Sequence, residues 1–102
     1  MTLQEFGSRW SDDEFIMALA LYKTPGVIPD KKHPKVIELS QITGRTVSSV
    51  ARRLANYRAI DTEDRSGLTH YPKSAKRIWH EFEGRDEVLM NEAERLKRKF
   101  LG

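Results

Sequence analysis

The chain has 102 residues, of which 38% are hydrophobic, which is enough for one folded domain with a modest core. It contains no cysteine, no stretch as long as a membrane-spanning helix and no signal peptide in its first ten residues, so we expect a cytoplasmic protein without disulfides or thiolate metal sites. The formal net charge is only +3, but residues 31–58 hold seven basic side chains and one acidic, and this clustering favours a polyanionic partner.

The first predicted helix spans residues 11–22 and begins with a capping box. Ser11 can accept a hydrogen bond from the backbone of Glu14, whose side chain can reach back to the backbone of Ser11. Trp10, just before the cap, is predicted to pack on the first turn, and the sequence from Thr24 to Gly26 ends the helix. The predicted apolar stripe consists of Phe15, Ala18, Leu19 and Tyr22.

Two helices near 35–43 and 46–59, separated by a short turn, are predicted next. Pro34 suits a first helical position, Gly44 suits the end of the first helix, and Thr46 can cap the second. An apolar back, a basic front and a short glycine turn are typical of a helix-turn-helix, whose second helix enters a DNA groove. The buried stripe of this second helix is predicted to be Val47, Val50, Ala51, Leu54 and Tyr57.

The polar face of this second helix and the basic loop before the pair are the predicted DNA contacts. Arg52 and Arg53 lie opposite the apolar stripe, and we expect at least one of them to reach base edges. Lys31, Lys32 and Lys35 are expected to touch phosphates, which position a protein without reading sequence. A helical hairpin with a solvated basic face is the simpler alternative. The further predicted DNA contacts are Arg45, Ser48, Ser49, Asn56 and Lys73.

An irregular stretch leads to Tyr71 and Pro72, which precede a helix predicted at 74–83 with Ser74 as its cap. Free N–H groups at a helix N-terminus attract anions, and Lys73 lies beside them. The aromatic ring of Tyr71, the pyrrolidine ring of Pro72 and the helix N-terminus can together hold a phosphate whose surface is partly apolar. Composition alone favours a plain loop-to-helix junction with Tyr71 packed on the core. The predicted apolar stripe is Ala75, Ile78, Trp79 and Phe82.

A final helix is predicted near 86–100, which makes the expected architecture an all-α single domain over residues 1–102, with four to five helices and a helix-turn-helix. The sequence shows no recognisable set of catalytic residues, because the three histidines are far apart and no nucleophile-elbow, Walker or metalloprotease motif occurs. We therefore expect a monomeric binding module that is not an enzyme and uses no metal or cofactor. The histidines are His33, His70 and His80, and the predicted stripe of the final helix is Leu89, Ala93, Leu96 and Phe100.

Three segments resemble a known protein family in their order along the chain. RWSDDEFIMALALY, HPKVIELSQITGRTVSSVARRLANYRAID and GLTHYPKSAKRIWHEF are together similar to the N-terminal part of HNH-family endonucleases, over roughly residues 9–85. More narrowly, YPKSA at residues 71–75 resembles the Y-P-x-x-A signature of the sulfur-binding domain in McrA-type restriction endonucleases. The chain ends before any HNH nuclease motif, so the resemblance implies a reader that relies on a separate nuclease domain or partner.

The resemblance implies that the partner is double-stranded DNA carrying a phosphorothioate, in which sulfur replaces one non-bridging backbone oxygen. Tyr71, Pro72 and Ala75 would line an apolar cup around the sulfur. His33 and Lys32 would be the basic loop group near this cup. Two other classes remain open: a helix-turn-helix transcriptional regulator that binds unmodified DNA, and a helical module that binds an acidic protein. The implied sulfur-site residues are Tyr71, Pro72, Ser74, Ala75, His33 and Lys32.

Overall fold

The computed structural model describes residues 9–62 and 71–102, and this part of the chain folds into five helices packed as one bundle. The described residues contain no β-strand, which confirms the predicted all-α class. None of these helices has the length and apolar character needed to cross a bilayer. The helices are α1 (Asp12–Tyr22), α2 (Pro34–Thr43), α3 (Val47–Asp61), α4 (Lys73–Glu81) and α5 (Asp86–Leu101).

Helix α1 lies at the centre of the bundle and contacts each of the other four helices. Every residue from Glu14 to Ala20 is buried, so the apolar surface is wider than the single predicted stripe. A helix that is apolar on most sides is typical of such a central position. The predicted start of α1 is confirmed, because Ser11 and Glu14 form both hydrogen bonds of the capping box. The ring centres of Trp10 and Phe15 are 5.6 Å apart, so Trp10 packs on the first turn as predicted.

Contacts at the two ends of α1 define the directions of its neighbours. The hydroxyl of Tyr22, the last residue of α1, donates to Asp61 at the end of α3 over 2.7 Å, so α1 and α3 run in the same direction. Lys99 near the end of α5 is 3.2 Å from Asp13 at the start of α1, so α5 runs the opposite way. Helix α2 also runs opposite to α1, since the residue that follows its C-terminal glycine, Arg45, contacts α1 near its start.

Helices α2 and α3 are joined by a three-residue turn that the sequence predicts well. Gly44 has φ +79°, a left-handed conformation that favours glycine, and it ends α2. The Thr46 hydroxyl caps α3 by accepting a hydrogen bond from the Ser49 backbone N–H at 3.0 Å. The predicted stripe of α3 is confirmed, although the role of this pair as a DNA-binding helix-turn-helix stays a prediction. Val50, Leu54 and Tyr57 are buried, and Val47 and Ala51 are partly buried against the core.

Helix α4 begins one residue earlier than predicted. Pro72 occupies the N-cap, the helix starts at Lys73, and no side chain caps it. The predicted cap at Ser74 is therefore wrong, because Ser74 already lies in the first turn. Ala75, Ile78 and Phe82 are buried as predicted, and Trp79 is partly buried against the core.

The bounds predicted for α5 agree with the structure to within one residue. Leu89, Ala93 and Leu96 are buried against the core, as predicted. Phe100 is 37% exposed, so its predicted place in the buried stripe is wrong. The reason is length: Lys99 already contacts the first turn of α1, and the last turn of α5 projects past the end of the core.

Candidate nucleic-acid interface

A cleft of about 380 Å³ opens between the segment before α1, the middle of α3 and the start of α4. It brings together four residues that the sequence predicts as DNA or sulfur contacts: Arg53, Pro72, Lys73 and Ser74. The other lining residues are two aromatic residues and one further arginine, and no carboxylate among the described residues lines the cleft. We call this space the α3–α4 cleft; its lining residues are Arg9, Trp10, Phe15, Arg53, Pro72, Lys73 and Ser74.

Arg53 is the half-buried cation of the α3–α4 cleft. Its guanidinium carbon lies 5.3 Å from the ring centre of Trp10 and 5.7 Å from that of Phe15. Its Nη1 donates to Oδ1 of Asn56 at 2.7 Å, whereas its Nε is buried and has no hydrogen-bond partner among the described residues. Burial lowers the pKa of Arg53, and the nearby charge of Arg52 lowers it further, but a guanidinium stays protonated at neutral pH. The cleft is thus lined by a charged guanidinium, one of whose donors has no acceptor in the part of the chain that the structure describes.

The start of α4 adds backbone donors to the same cleft. The first N–H groups of a helix have no intrahelical partners, and together with the helix dipole they favour an anion. Pro72 occupies the N-cap of α4, and no described side chain makes a capping hydrogen bond to these groups. The ammonium of Lys73, which is exposed, adds positive charge at the same place. The α3–α4 cleft therefore combines apolar rings with charged and backbone donors.

On α3, the polar face divides into an exposed part and a part directed toward α1. Ser48 and Arg52 are exposed and lie four residues apart, so they share one face. Ser49 instead accepts a hydrogen bond from Nε1 of Trp10 at 2.9 Å. Asn56 holds Arg53, as described above. Of the predicted contacts on α3, Ser48 and Arg52 are therefore the ones presented to solvent.

The structure corrects the prediction that Arg45 contacts DNA. Its Nε lies 2.8 Å from Oε2 of Glu14 and its Nη2 lies 2.9 Å from Oε1, while the same Nη2 donates to the carbonyl of Arg9 at 2.9 Å. The side chains of Arg45 and Glu14 are only 11% and 7% exposed. The guanidinium neutralises a buried carboxylate, and this placement turns it away from any phosphate.

The structure also corrects the prediction that Ala75 contacts the sulfur. Ala75 is 0% exposed, because the stripe that it shares with Ile78 turns into the core within the first turn of α4. A ligand at the surface cannot reach its methyl group. Tyr71 and Pro72 remain half-buried at the surface, and Pro72 lines the α3–α4 cleft. The apolar side chains that line this cleft are Trp10, Phe15 and Pro72.

A third correction concerns His33 and Lys32, which the resemblance puts near the cup. His33 caps α2, with Nδ1 accepting from the Lys35 backbone at 3.1 Å, and its Nε2 lies 3.2 Å from the carbonyl oxygen of Gly26. Gly26 follows the C-terminal end of α1, whereas the α3–α4 cleft lies near its N-terminal end, and α1 is about 16 Å long at 1.5 Å per residue. The antiparallel direction of α2 causes this separation. Lys31, Lys32 and Lys35 are exposed, so their contact with phosphates stays a prediction. Any such contact would be made outside the α3–α4 cleft.

A second groove of about 230 Å³ lies between α1, α2 and α5 and is less suited to an anion. Its floor is apolar and includes Met17 and Met90. The charged side chains on its rim neutralise each other within their own helices, so none of these pairs presents an excess of positive charge. These pairs are Lys35–Glu38 at 3.8 Å and Lys97–Glu94 at 3.3 Å.

Within residues 9–62 and 71–102, no cluster of histidine and carboxylate side chains is arranged to bind a metal ion. His33 is explained by its capping role, and His80 lies 3.2 Å from Glu83 on the exposed side of α4. His70 lies outside the described residues.

Comparisons with protein-family models, with curated proteins and with solved structures found no match to this chain. The interpretation of the cleft therefore depends on its own geometry and on the resemblance carried by residues 71–75. Sequence reasoning missed Arg9, Trp10 and Phe15 as lining residues. The predicted packing of Trp10 on the first turn was the available signal, but it did not indicate that α3 and α4 would meet at the same place.

Proposed function

We propose that this domain binds double-stranded DNA that carries a backbone phosphorothioate, and that the α3–α4 cleft receives the modified phosphate. The observation that supports the proposal most strongly is the guanidinium of Arg53, which lines a cleft together with the apolar side chains of Trp10, Phe15 and Pro72. A charged donor surrounded by apolar surface suits an anion in which one of the atoms bonded to phosphorus is a poor hydrogen-bond acceptor. A phosphorothioate is such an anion, because it keeps the phosphate charge but replaces one oxygen with sulfur.

The chemistry of sulfur gives the cleft a way to distinguish the two kinds of DNA. Sulfur is larger and more polarisable than oxygen and accepts hydrogen bonds poorly. An ordinary phosphate oxygen against the apolar rings would lose its hydration without gaining a donor, which costs about 1–3 kcal/mol. Contact of sulfur with the rings adds about 0.8 kcal/mol, the value of a buried methylene. Together these terms predict that modified DNA binds about 20- to 500-fold more tightly than plain DNA.

The resemblance of residues 71–75 to the sulfur-binding signature supports the same ligand. Two of its residues, Tyr71 and Pro72, lie at the surface, and Pro72 lines the cleft. The third, Ala75, then has a packing role: a small residue lets α4 approach the core closely enough to keep Pro72 opposite Arg53. Tyr71 adds a half-buried ring next to Pro72.

Contacts outside the cleft would supply most of the raw affinity. Phosphate contacts by cations dominate the affinity of DNA-binding proteins and make it sensitive to salt. Arg9 and Lys73 are exposed at the cleft and can meet the phosphates that flank the modified one. The exposed face of α3, with Ser48 and Arg52, is available for base edges in the adjacent groove. Cytoplasmic location and action with a separate nuclease belong to the same proposal.

A second candidate function is a transcriptional regulator that reads unmodified DNA. The three-residue turn between α2 and α3 and the exposed face with Arg52 favour it. Such a protein would need a dimer to cover a long site, because one recognition helix reads only a few base pairs.

A mobility-shift assay with paired duplexes separates these possibilities. The two duplexes have the same sequence, and one carries phosphorothioates at defined positions. Preferential binding of the modified duplex supports the proposal. Equal, sequence-dependent binding of both duplexes supports the regulator, and binding of neither favours a module that recognises an acidic protein.

A further inference from the structure

One wall of the α3–α4 cleft comes from a segment that belongs to no helix. Arg9 and Trp10 precede the cap of α1, and Trp10 is buried at 9% exposure. A segment of this kind must be held by other parts of the chain to keep a fixed position. The contacts that hold it come from Arg45 in the turn between α2 and α3 and from Ser49 on α3, and Glu14 on α1 in turn binds Arg45.

We propose that Arg45 and Glu14 act as positioning residues for the cleft, fixing its Trp10 wall and so setting the preference for modified DNA. This inference rests on the proposed function and deepens it. Neither side chain lines the cleft, so each acts through Arg9 and Trp10. We call the pair, together with Ser49, the Trp10 clamp.

The contacts of Arg45 tie three parts of the chain together. Two of its nitrogens bind the two carboxylate oxygens of Glu14, and one of them also donates to the carbonyl of Arg9. Its guanidinium carbon lies 5.7 Å from the ring centre of Trp10. The indole nitrogen of Trp10 in turn donates to Ser49 at 2.9 Å. The backbone and the ring of the cleft wall are therefore held separately.

Glu14 has a second role that makes the clamp part of the start of α1. Its Oε1 accepts the backbone N–H of Ser11 at 2.8 Å, in addition to Nη2 of Arg45. The same carboxylate therefore fixes both the helix cap and the arginine. A change in its charge, but not in its shape, would loosen the arginine and leave the cap in place, because glutamine also serves in a capping box.

Trp10 connects the clamp to the charged donor of the cleft. The guanidinium of Arg53 lies 5.3 Å from its ring centre, so Arg45 and Arg53 both contact one indole. A displacement of the ring would move the guanidinium that faces the ligand. Stability alone does not explain a buried ion pair here, because apolar residues of similar size are often as stabilising.

The test uses Arg45→Met, the double variant Glu14→Gln with Arg45→Met, and Asp12→Asn as a matched control. Arg45→Met leaves the Glu14 carboxylate buried and unpaired, so it lowers the melting temperature. The double variant removes that unpaired charge and recovers stability, but it still lacks the contact to the Arg9 carbonyl. The control removes an exposed ion pair of 2.7 Å between Asp12 and Arg77, and Asp12 is two residues before Glu14 in the same first turn of α1.

Two readouts decide the outcome. The first is the ratio of dissociation constants for plain and modified duplexes, which should fall by about tenfold or more in the double variant, the effect of one misaligned charge-assisted contact. The second is the indole N–H resonance of Trp10 in the free protein, assigned with Trp79→Phe, which should move in the double variant and stay in Asp12→Asn. A double variant with the wild-type ratio would overturn the proposal, and an unmoved resonance would show that the pair does not hold Trp10 in place.

These readouts also separate this inference from the proposed function. If the wild-type protein shows a ratio near one, the proposed function is refuted and the selectivity role of the clamp with it. The resonance of the free protein, which needs no DNA, then decides whether Arg45 and Glu14 hold Trp10 in place. If selectivity is intact in the wild type and unchanged in the double variant, only the clamp is refuted.

Discussion

Replacement of Arg53 by methionine is the most informative change at the cleft. Methionine keeps an unbranched, apolar stem and removes the guanidinium. If the guanidinium of Arg53 donates to the modified phosphate, the variant loses one charge-assisted hydrogen bond. Such a bond contributes about 1.5–3 kcal/mol, so the dissociation constant for modified DNA should rise about 10- to 150-fold.

The stability of the same variant should change little, because two effects oppose each other. The variant loses the hydrogen bond to Asn56 and the contact with Trp10, which together lower the free energy of unfolding by about 2–4 kcal/mol. The removal of a buried donor that has no acceptor among the described residues raises the free energy of unfolding by about 1–3 kcal/mol. The net loss of about 1 kcal/mol corresponds to a fall in melting temperature of about 4–8 °C. The variant therefore stays folded under the conditions of a binding assay.

Arg52→Met is the matched control, with the same change of charge on the same helix. Arg52 is exposed, so its loss should weaken both duplexes alike and leave their ratio unchanged. Fluorescence anisotropy with both duplexes at fixed salt measures the ratio, and thermal unfolding measures stability. Unchanged binding by the folded Arg53→Met variant would show that Arg53 does not contact the modified phosphate.

Three further predictions concern residues away from this pair. Ala75→Leu should overpack the core and lower the free energy of unfolding by about 1–3 kcal/mol, so thermal unfolding should show a lower melting temperature. An unchanged melting temperature would mean that Ala75 is accessible. Lys31→Ala and Lys73→Ala should each weaken modified and plain duplexes alike and reduce the slope of log K against log salt by about 0.9, because both lysines are expected to contact ordinary phosphates. A changed ratio in a salt titration of either variant would contradict this. Burial and the hydrogen bond to Asp61 raise the pKa of Tyr22 to about 12, so the unfolded chain, with a tyrosine pKa of about 10, loses this proton first and stability falls as pH rises from 10 to 12. Urea unfolding at stepped pH should show a smaller fall in Tyr22→Phe, and an identical fall would refute the assignment.

Much of the fold could be predicted because its helix ends have local causes. The capping box at Ser11, the left-handed Gly44 and the hydroxyl cap at Thr46 all act within four residues. The central position of α1 was also readable, since FIMALALY is apolar on nearly all sides, but a single stripe was assigned to it. Pro72 was missed as the N-cap of α4 because a hydroxyl two residues later offered a more usual cap.

The candidate site was less predictable, because its geometry depends on contacts between distant parts of the chain. Arg45 and its partner Glu14 are 31 residues apart, so nothing local marks that arginine as buried. A short signature gives spacing along the chain but not which side chains reach the surface, and Ala75 was misassigned for this reason. The distance between His33 and the cleft follows from the direction of α2, which a list of predicted helices does not contain.

The preference of the wild-type protein for modified DNA tests the central claim most directly. The measurement is the ratio of dissociation constants for a plain duplex and for the same duplex with phosphorothioates, at one fixed salt concentration. The apolar walls and the charged donor of the α3–α4 cleft predict a ratio of about 20 to 500 in favour of modified DNA. A ratio near one would contradict the account, and the exposed face of α3 would then be the place to look for the recognition of unmodified DNA.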